Sequence, residues 1–165
     1  MGSNNLVIAD AGPIIHLDEI GCLWLLSDFP IVYIAETVLL EVTKLRPLAL
    51  QQSLINWCII TAPHNQKVIA LSKIYTLHTG EMESLALCLQ YPQALFFTDD
   101  TAARLAAKSL NIQAYGTLGI LIRAIRCQQM TKLEVITILQ KIPQLSTLHI
   151  KPSLLEQVIQ QVCAY

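Results

Sequence analysis

The sequence predicts an α/β fold, with helices in layers on both faces of a central, mostly parallel sheet. Three observations carry that prediction. Short β-prone runs alternate with helical stretches along the chain, the pattern of strand–helix–strand units. Two of the runs end abruptly in acids: residues 5–9 in Asp10, and residues 95–97 in Thr98, Asp99 and Asp100. The composition is 53% hydrophobic and 14% charged, where ordinary domains carry ~25% charged residues. Many elements must therefore be buried on both sides, or part of the surface must be covered by a partner. The 165 residues suffice for one domain with a full core, and the chain reads as a single domain over 1–165.

The first unit is a strand over 5–9, then Asp10, a turn, and a helix whose apolar face is Ile14, Ile15, Leu17 and Ile20. Pro13 suits the first helical turn, where a missing N–H is harmless. Asp10 is either a helix N-cap or a site residue. Residues 21–29 form a loop or short helix. A second strand over 31–34 follows Pro30, then a helix over 35–42 with Val38, Leu39 and Val42 inward. Glu41 lies within a turn of these and faces either solvent or a site, while Glu36 reads as first-turn dipole compensation. A further helical segment is expected over 48–57, an extended piece over 58–61 before Pro63, and a helix over 67–75.

Residues 79–89 read as a helix capped by Thr79 or Gly80, with early glutamates favouring its N-terminus. Glu81 and Glu83 are two apart and diverge by roughly 200° around a helix, so at most one faces a shared site. The strand over 95–97 leads through Thr98, Asp99 and Asp100 into a helix over 101–108. Residues 111–115 form another short strand. Gly116 and Gly119 then suggest a tight turn with close backbone approach, without the further glycine and lysine of a phosphate loop. Helices follow over 120–125 and 133–141, the latter stopped by Pro143. Residues 148–150 are extended. The last helix, about 153–163, carries a stripe of Leu154, Leu155, Val158, Ile159 and Val162. That stripe packs on the core or on a partner; core is favoured, because a single domain needs it.

Several classes are excluded. No uninterrupted apolar run reaches the ~20 residues of a membrane span, and no basic stretch followed by an apolar one marks a secretory signal. The five cysteines are odd in number, widely spaced and set among apolar neighbours. None has zinc-ligand spacing, so they read as buried thiols of a cytoplasmic protein. A net charge of −1 is no electrostatic footprint for nucleic acid, unless a metal bridges acids to phosphate.

In a parallel sheet, acids that follow strands gather at one edge. Asp10, Glu41, Glu81 (or Glu83), Asp99 and Asp100 each follow a strand or lie on the next helix. Crowded carboxylates repel and raise one another's pKa, and a divalent cation resolves the crowding. Oxygen-only donors suit Mg²⁺ or Mn²⁺, which keep several waters and take remaining ligands from phosphate. His16, His64, His78 and His149 are scattered and receive no chemical role.

In this order and combination the chain resembles a PIN domain, the VapC-type nuclease fold, over nearly its whole length. The residues that carry the resemblance are Ile8-Ala9-Asp10 with Pro13-Ile14-Ile15, Glu41 within residues 38–42, Gly80-Glu81-Met82-Glu83 and Thr98-Asp99-Asp100. Residues 99–104 and 115–121 are similar to a poorly characterised prokaryotic branch of such proteins. The resemblance implies Asp10, Glu41, Glu81 and Asp100 as catalytic metal ligands for Mg²⁺ or Mn²⁺, with Glu83 as the fallback for Glu81. It implies supporting roles for Thr98 and Asp99. Arg104, one turn after Asp100, either neutralises the cluster, touches phosphate, or is a surface arginine. Two departures stand out: Gly12 replaces a serine or threonine common two residues after the first aspartate, and Glu81 stands where the family usually has aspartate.

The implied activity is metal-dependent endonucleolytic cleavage of single-stranded RNA, in the toxin half of a toxin–antitoxin pair. An antitoxin-like protein partner and a homodimer go with that reading. The alternative is a catalytically weak or inactive PIN-like module that binds RNA or protein. A phosphoacceptor domain using the acidic pair is a third reading, weakened because no accompanying lysine is assigned.

Overall fold

The computed structural model describes residues 5–165. Its centre is a five-stranded sheet built from β1 (Val7–Ala9), β2 (Val32–Ala35), β3 (Trp57–Ile60), β4 (Leu95–Phe97) and β5 (Ala114–Tyr115). The strand order is β3-β2-β1-β4-β5, and every pairing is parallel. The expected "mostly parallel" sheet is thus entirely so. Val7, Ile8, Ala9, Val32, Ile34, Phe96 and Phe97 are almost wholly buried, as strands covered on both faces must be.

Eight α-helices surround the sheet among the described residues: α1 (Ala11–Glu19), α2 (Glu36–Leu45), α3 (Gln66–Tyr75), α4 (Thr79–Gln90), α5 (Thr101–Ser109), α6 (Thr117–Arg126), α7 (Lys132–Leu145) and α8 (Pro152–Ala164). Helix α4 packs on β1, β2 and β4 and against α3 and α5, while α1 packs against α2 and α6. Helix α7 lies on α6, and α8 lies on α7. Val158 and Val162 of α8 are buried, so its stripe turns to the core, although Leu154 remains 46% exposed. None of the helices is long and apolar enough to cross a membrane.

Four local expectations need correction. The helix expected over 48–57 is a single 3-10 turn, Ala49–Gln51, because Trp57 is already in β3, paired with Val32. Pro143 does not stop α7, which continues to Leu145; what proline forfeits is the one hydrogen bond from its own position back to the carbonyl four residues upstream. Helix α6 begins at Thr117 rather than at 120, so Gly119 is helical and no turn spans 116–119. The N-cap of α4 is His78, not Thr79 or Gly80.

The topology positions the site. From β1 the chain winds outward through β2 and β3, returns across the sheet to β4, and continues to β5. The winding direction reverses between β1 and β4, and ligands of open α/β sheets bind where it reverses, beyond the carboxyl ends of the strands. Ala9 is opposite Phe97, so the next residues, Asp10 and Thr98, emerge side by side at that crevice.

Candidate active site

Asp10 is the innermost acid, only 7% exposed. Its backbone N–H donates to Phe97 O at 2.9 Å, which locks it to β4. Its side chain caps α1: Oδ1 accepts from Ala11 N–H at 2.9 Å. The expected cap is thus present, and the same carboxylate lines the cleft. Oδ2 accepts from the Thr98 hydroxyl at 3.1 Å, and the same hydroxyl accepts from Asp100 N–H at 3.2 Å. Thr98 is fully buried and ties the first aspartate to the last. Asp100 caps α5, its Oδ1 accepting from Ala103 N–H at 2.7 Å.

Glu81, 8% exposed, comes from the first turn of α4. Its Oε2 accepts from His78 N–H at 2.8 Å, which fixes the carboxylate at the helix N-terminus. Glu83 points elsewhere: its Oε2 accepts from the Thr37 hydroxyl at 2.5 Å, tying α4 to the start of α2. The divergence of the two glutamates thus leaves Glu81 in the cleft and gives Glu83 a structural tie. Glu41 is exposed on α2 yet forms part of the cleft wall. Asp10, Glu41, Glu81, Asp99 and Asp100 together line a cleft of about 670 Å³.

Asp99 is otherwise engaged. Oδ1 accepts from Thr117 N–H at 2.7 Å, and Oδ2 takes the Thr117 hydroxyl at 2.6 Å and His16 Nδ1 at 2.7 Å. It caps α6 from a different element and holds the His16 ring. Gly116 makes this possible, since a Cβ there would lie 2.6 Å from Asp99 Oδ1. The close approach expected at the glycines is therefore real at Gly116, and a side chain is its partner. Arg104 is exposed and faces a neighbouring groove rather than the acidic cleft.

Three of the four histidines, His16, His78 and His149, line the cleft, although they are scattered in the sequence. His16 meets Asp99 across 83 residues; no local pattern announces such a contact. The segment carrying His149 is pinned to α1, because Glu19 accepts from Ser146 Oγ and Thr147 N–H, both at 2.7 Å.

The electrostatics are those of crowded, buried acids. Burial, then the charges of Glu81 and Glu41, raise the Asp10 carboxyl from 3.8 to about 7, against the opposing hydrogen bonds from Ala11 and Thr98. Burial also raises Glu81, aided by the charges of Asp100 and Glu41 and opposed by the His78 N–H. Among the described residues, no three His, Cys, Asp or Glu side chains converge tightly enough to cage an ion. Mg²⁺ asks for less: one or two carboxylates, several retained waters and phosphate oxygens. The hard carboxylate oxygens of this cleft and its room for water fit that ion.

A family model described as a PIN domain matches residues 6–163. No curated protein matches the chain. PIN domains form a nuclease-type family that generally acts on nucleic acid with divalent metal ions. A match from the first strand to the last helix, on a parallel sheet with its acids at the point where the winding reverses, means that this chain belongs to the PIN domain family.

Proposed function

We propose that the protein is a metal-dependent endoribonuclease acting on single-stranded RNA, with Asp10, Glu41, Glu81 and Asp100 holding one or two Mg²⁺ or Mn²⁺ ions. The observation that carries the reading is the gathering of Asp10, Glu41, Glu81 and Asp100 in one cleft where the winding of the sheet reverses, with Asp10 and Glu81 buried. Carboxylates brought together in this way disfavour one another's ionised forms, and a bound cation would relieve that cost. The metal, when bound, supplies an activated water and charge neutralisation at the scissile phosphate.

The protein's own groups have separable tasks. Thr98 sets the spacing of Asp10 and Asp100 through one hydroxyl. The His78 N–H aims Glu81. Asp99 holds the His16 ring through Nδ1 in the wall of the cleft. As the toxin half of a toxin–antitoxin pair, such an enzyme would be silenced by a protein covering this cleft.

The test is cleavage of a labelled single-stranded RNA with Mn²⁺, together with calorimetric titration of Mn²⁺. Wild type should cleave and bind the ion. Asp10→Asn and Asp100→Asn should each lose at least about 100-fold in rate, the scale of removing a group that stabilises the transition state. Full activity in either variant would refute the assignment. That no three ligands converge tightly among the described residues favours one alternative, a PIN-like module that binds RNA or protein without cutting. Failure of wild type to bind Mn²⁺ would establish that alternative over the nuclease.

A further inference from the structure

A second depression, about 1130 Å³, adjoins the acidic cleft, and the two share Asp99, Leu148 and His149 in their walls. Their chemistry is opposite. The first holds five carboxylates. The second is lined by Arg104 and Lys108 from α5 and by Lys151 just before α8; the one carboxylate among its described residues is Asp99, already committed to Thr117 and His16. In a chain of net charge −1, this segregation concentrates cations beside the acids. Between them the groove exposes apolar surface: Leu105 is 49% exposed, Tyr115 41% and Leu154 46%.

We infer that this groove is a binding site for a single strand of RNA, and that it holds the nucleotides flanking the one at the carboxylates. The inference rests on the ribonuclease reading and adds to it the path of the strand. A single strand presents one negative charge and one flat, largely apolar base at each step. Arg104 and Lys108 are one helical turn apart, with Cβ atoms about 6 Å from one another, a spacing comparable to that of successive backbone phosphates. The Tyr115 ring, open to the groove, offers a stacking surface for a base, as aromatic side chains do in single-strand binding sites. A duplex would hide its bases from Tyr115. Continuity through Leu148 and His149 lets one strand run from the cations to the acids. The carboxylates with their metal would then take the scissile phosphate and the groove its neighbours.

The test reads binding, not cleavage. Fluorescence anisotropy with a labelled phosphorothioate oligouridylate, which keeps the backbone charge, is measured in Mg²⁺ over a range of salt concentrations. Each phosphate contact on a single strand contributes about −0.7 to the slope of log K against log salt. Lys108→Gln with Lys151→Gln should weaken binding at low salt by at least about tenfold and make the slope shallower by about 1.4. Lys132→Gln with Lys141→Gln, the same loss of two charges outside both depressions, should leave the slope unchanged. Tyr115→Ala should weaken binding by about fivefold or more with no change of slope, because stacking releases no counterions.

An unchanged slope and affinity in the double lysine variant would overturn the groove. So would a change in the sedimenting mass of the protein alone with RNA binding intact, which would mark a contact between protein chains. The two readings fail separately. A wild type that binds through these residues but never cuts defeats the ribonuclease and keeps the groove. One that cuts while the double variant binds normally defeats the groove alone.

Discussion

Asp10→Asn is the substitution whose consequences can be followed furthest. In the metal-free protein it should raise stability, and it should do so only at neutral and alkaline pH. Burial and the neighbouring Glu81 and Glu41 lift the Asp10 carboxyl from 3.8 to about 7. A group whose folded pKa lies above its unfolded value binds its proton more tightly in the folded state. Wild type therefore loses stability as pH rises from about 4, and the loss is complete above about 7. At ~1.4 kcal/mol per pH unit the full penalty is about 4 kcal/mol.

Asparagine carries no charge and keeps an oxygen for the Ala11 N–H. Its amide N–H₂ replaces the oxygen that accepted from Thr98, and redirecting that hydroxyl costs about 1 kcal/mol. The net gain is about 3 kcal/mol at pH 8, or about 6–12 °C in melting temperature for a chain of this size. At pH 5 it shrinks below about 1 kcal/mol. Urea melts in EDTA, followed by circular dichroism at both pH values, measure the difference. Equal differences at pH 5 and pH 8 would refute the reasoning, because the carboxyl would then not be held above its ordinary value. Adding Mn²⁺ should stabilise wild type by mass action and leave the variant unmoved.

Three further outcomes are expected. Thr98→Val keeps the shape but strands Asp100 N–H and one Asp10 oxygen; it should cost about 1–3 kcal/mol in a urea melt and reduce RNA cleavage. Gly116→Ala places a Cβ 2.6 Å from Asp99 Oδ1 and 3.2 Å from Arg104 Nη1, so overpacking should cost about 1–3 kcal/mol; a wild-type melt would show that Asp99 moves away without penalty. In native protein, Cys163, exposed near the C-terminus, should react with a thiol reagent first. Cys22, whose thiol burial raises to about 11, and Cys88, raised further, should react only on unfolding; mass-spectrometric mapping of the labelled residues checks the order.

The fold was readable because its grammar is local. A β-prone run, an acid and a helix signal stand next to one another at Asp10 and again at Asp99 and Asp100, and parallel sheets collect such ends on one edge. The family resemblance added Glu41 and Glu81, residues whose neighbours alone left them equally good as surface acids. What remained hidden depended on distant partners. Only the packing of α4 against the sheet and α2 separates Glu81 in the cleft from Glu83 on Thr37. The adjacent Asp99 and Asp100 look equivalent in sequence. Their roles diverge because Thr117 and His16, far along the chain in opposite directions, both bind Asp99. The failed helix over 48–57 shows the converse, where pairing of Trp57 with β2 overrides an apolar spacing that suits a helix.

The placement of β1 at the middle of the sheet has a consequence for biosynthesis. The hydroxyl that orients Asp10 belongs to Thr98, which is made 88 residues later. The partner strand β4 and the α6 terminus that fixes Asp99 are later still to be extruded than β2 and β3. A chain ending before Thr117 lacks the N–H and hydroxyl that fix Asp99 and the residues at 148–149 that wall the cleft. Contacts so distant in sequence also form slowly. The proposed cutting activity is therefore withheld until the chain has been made at least through Thr117.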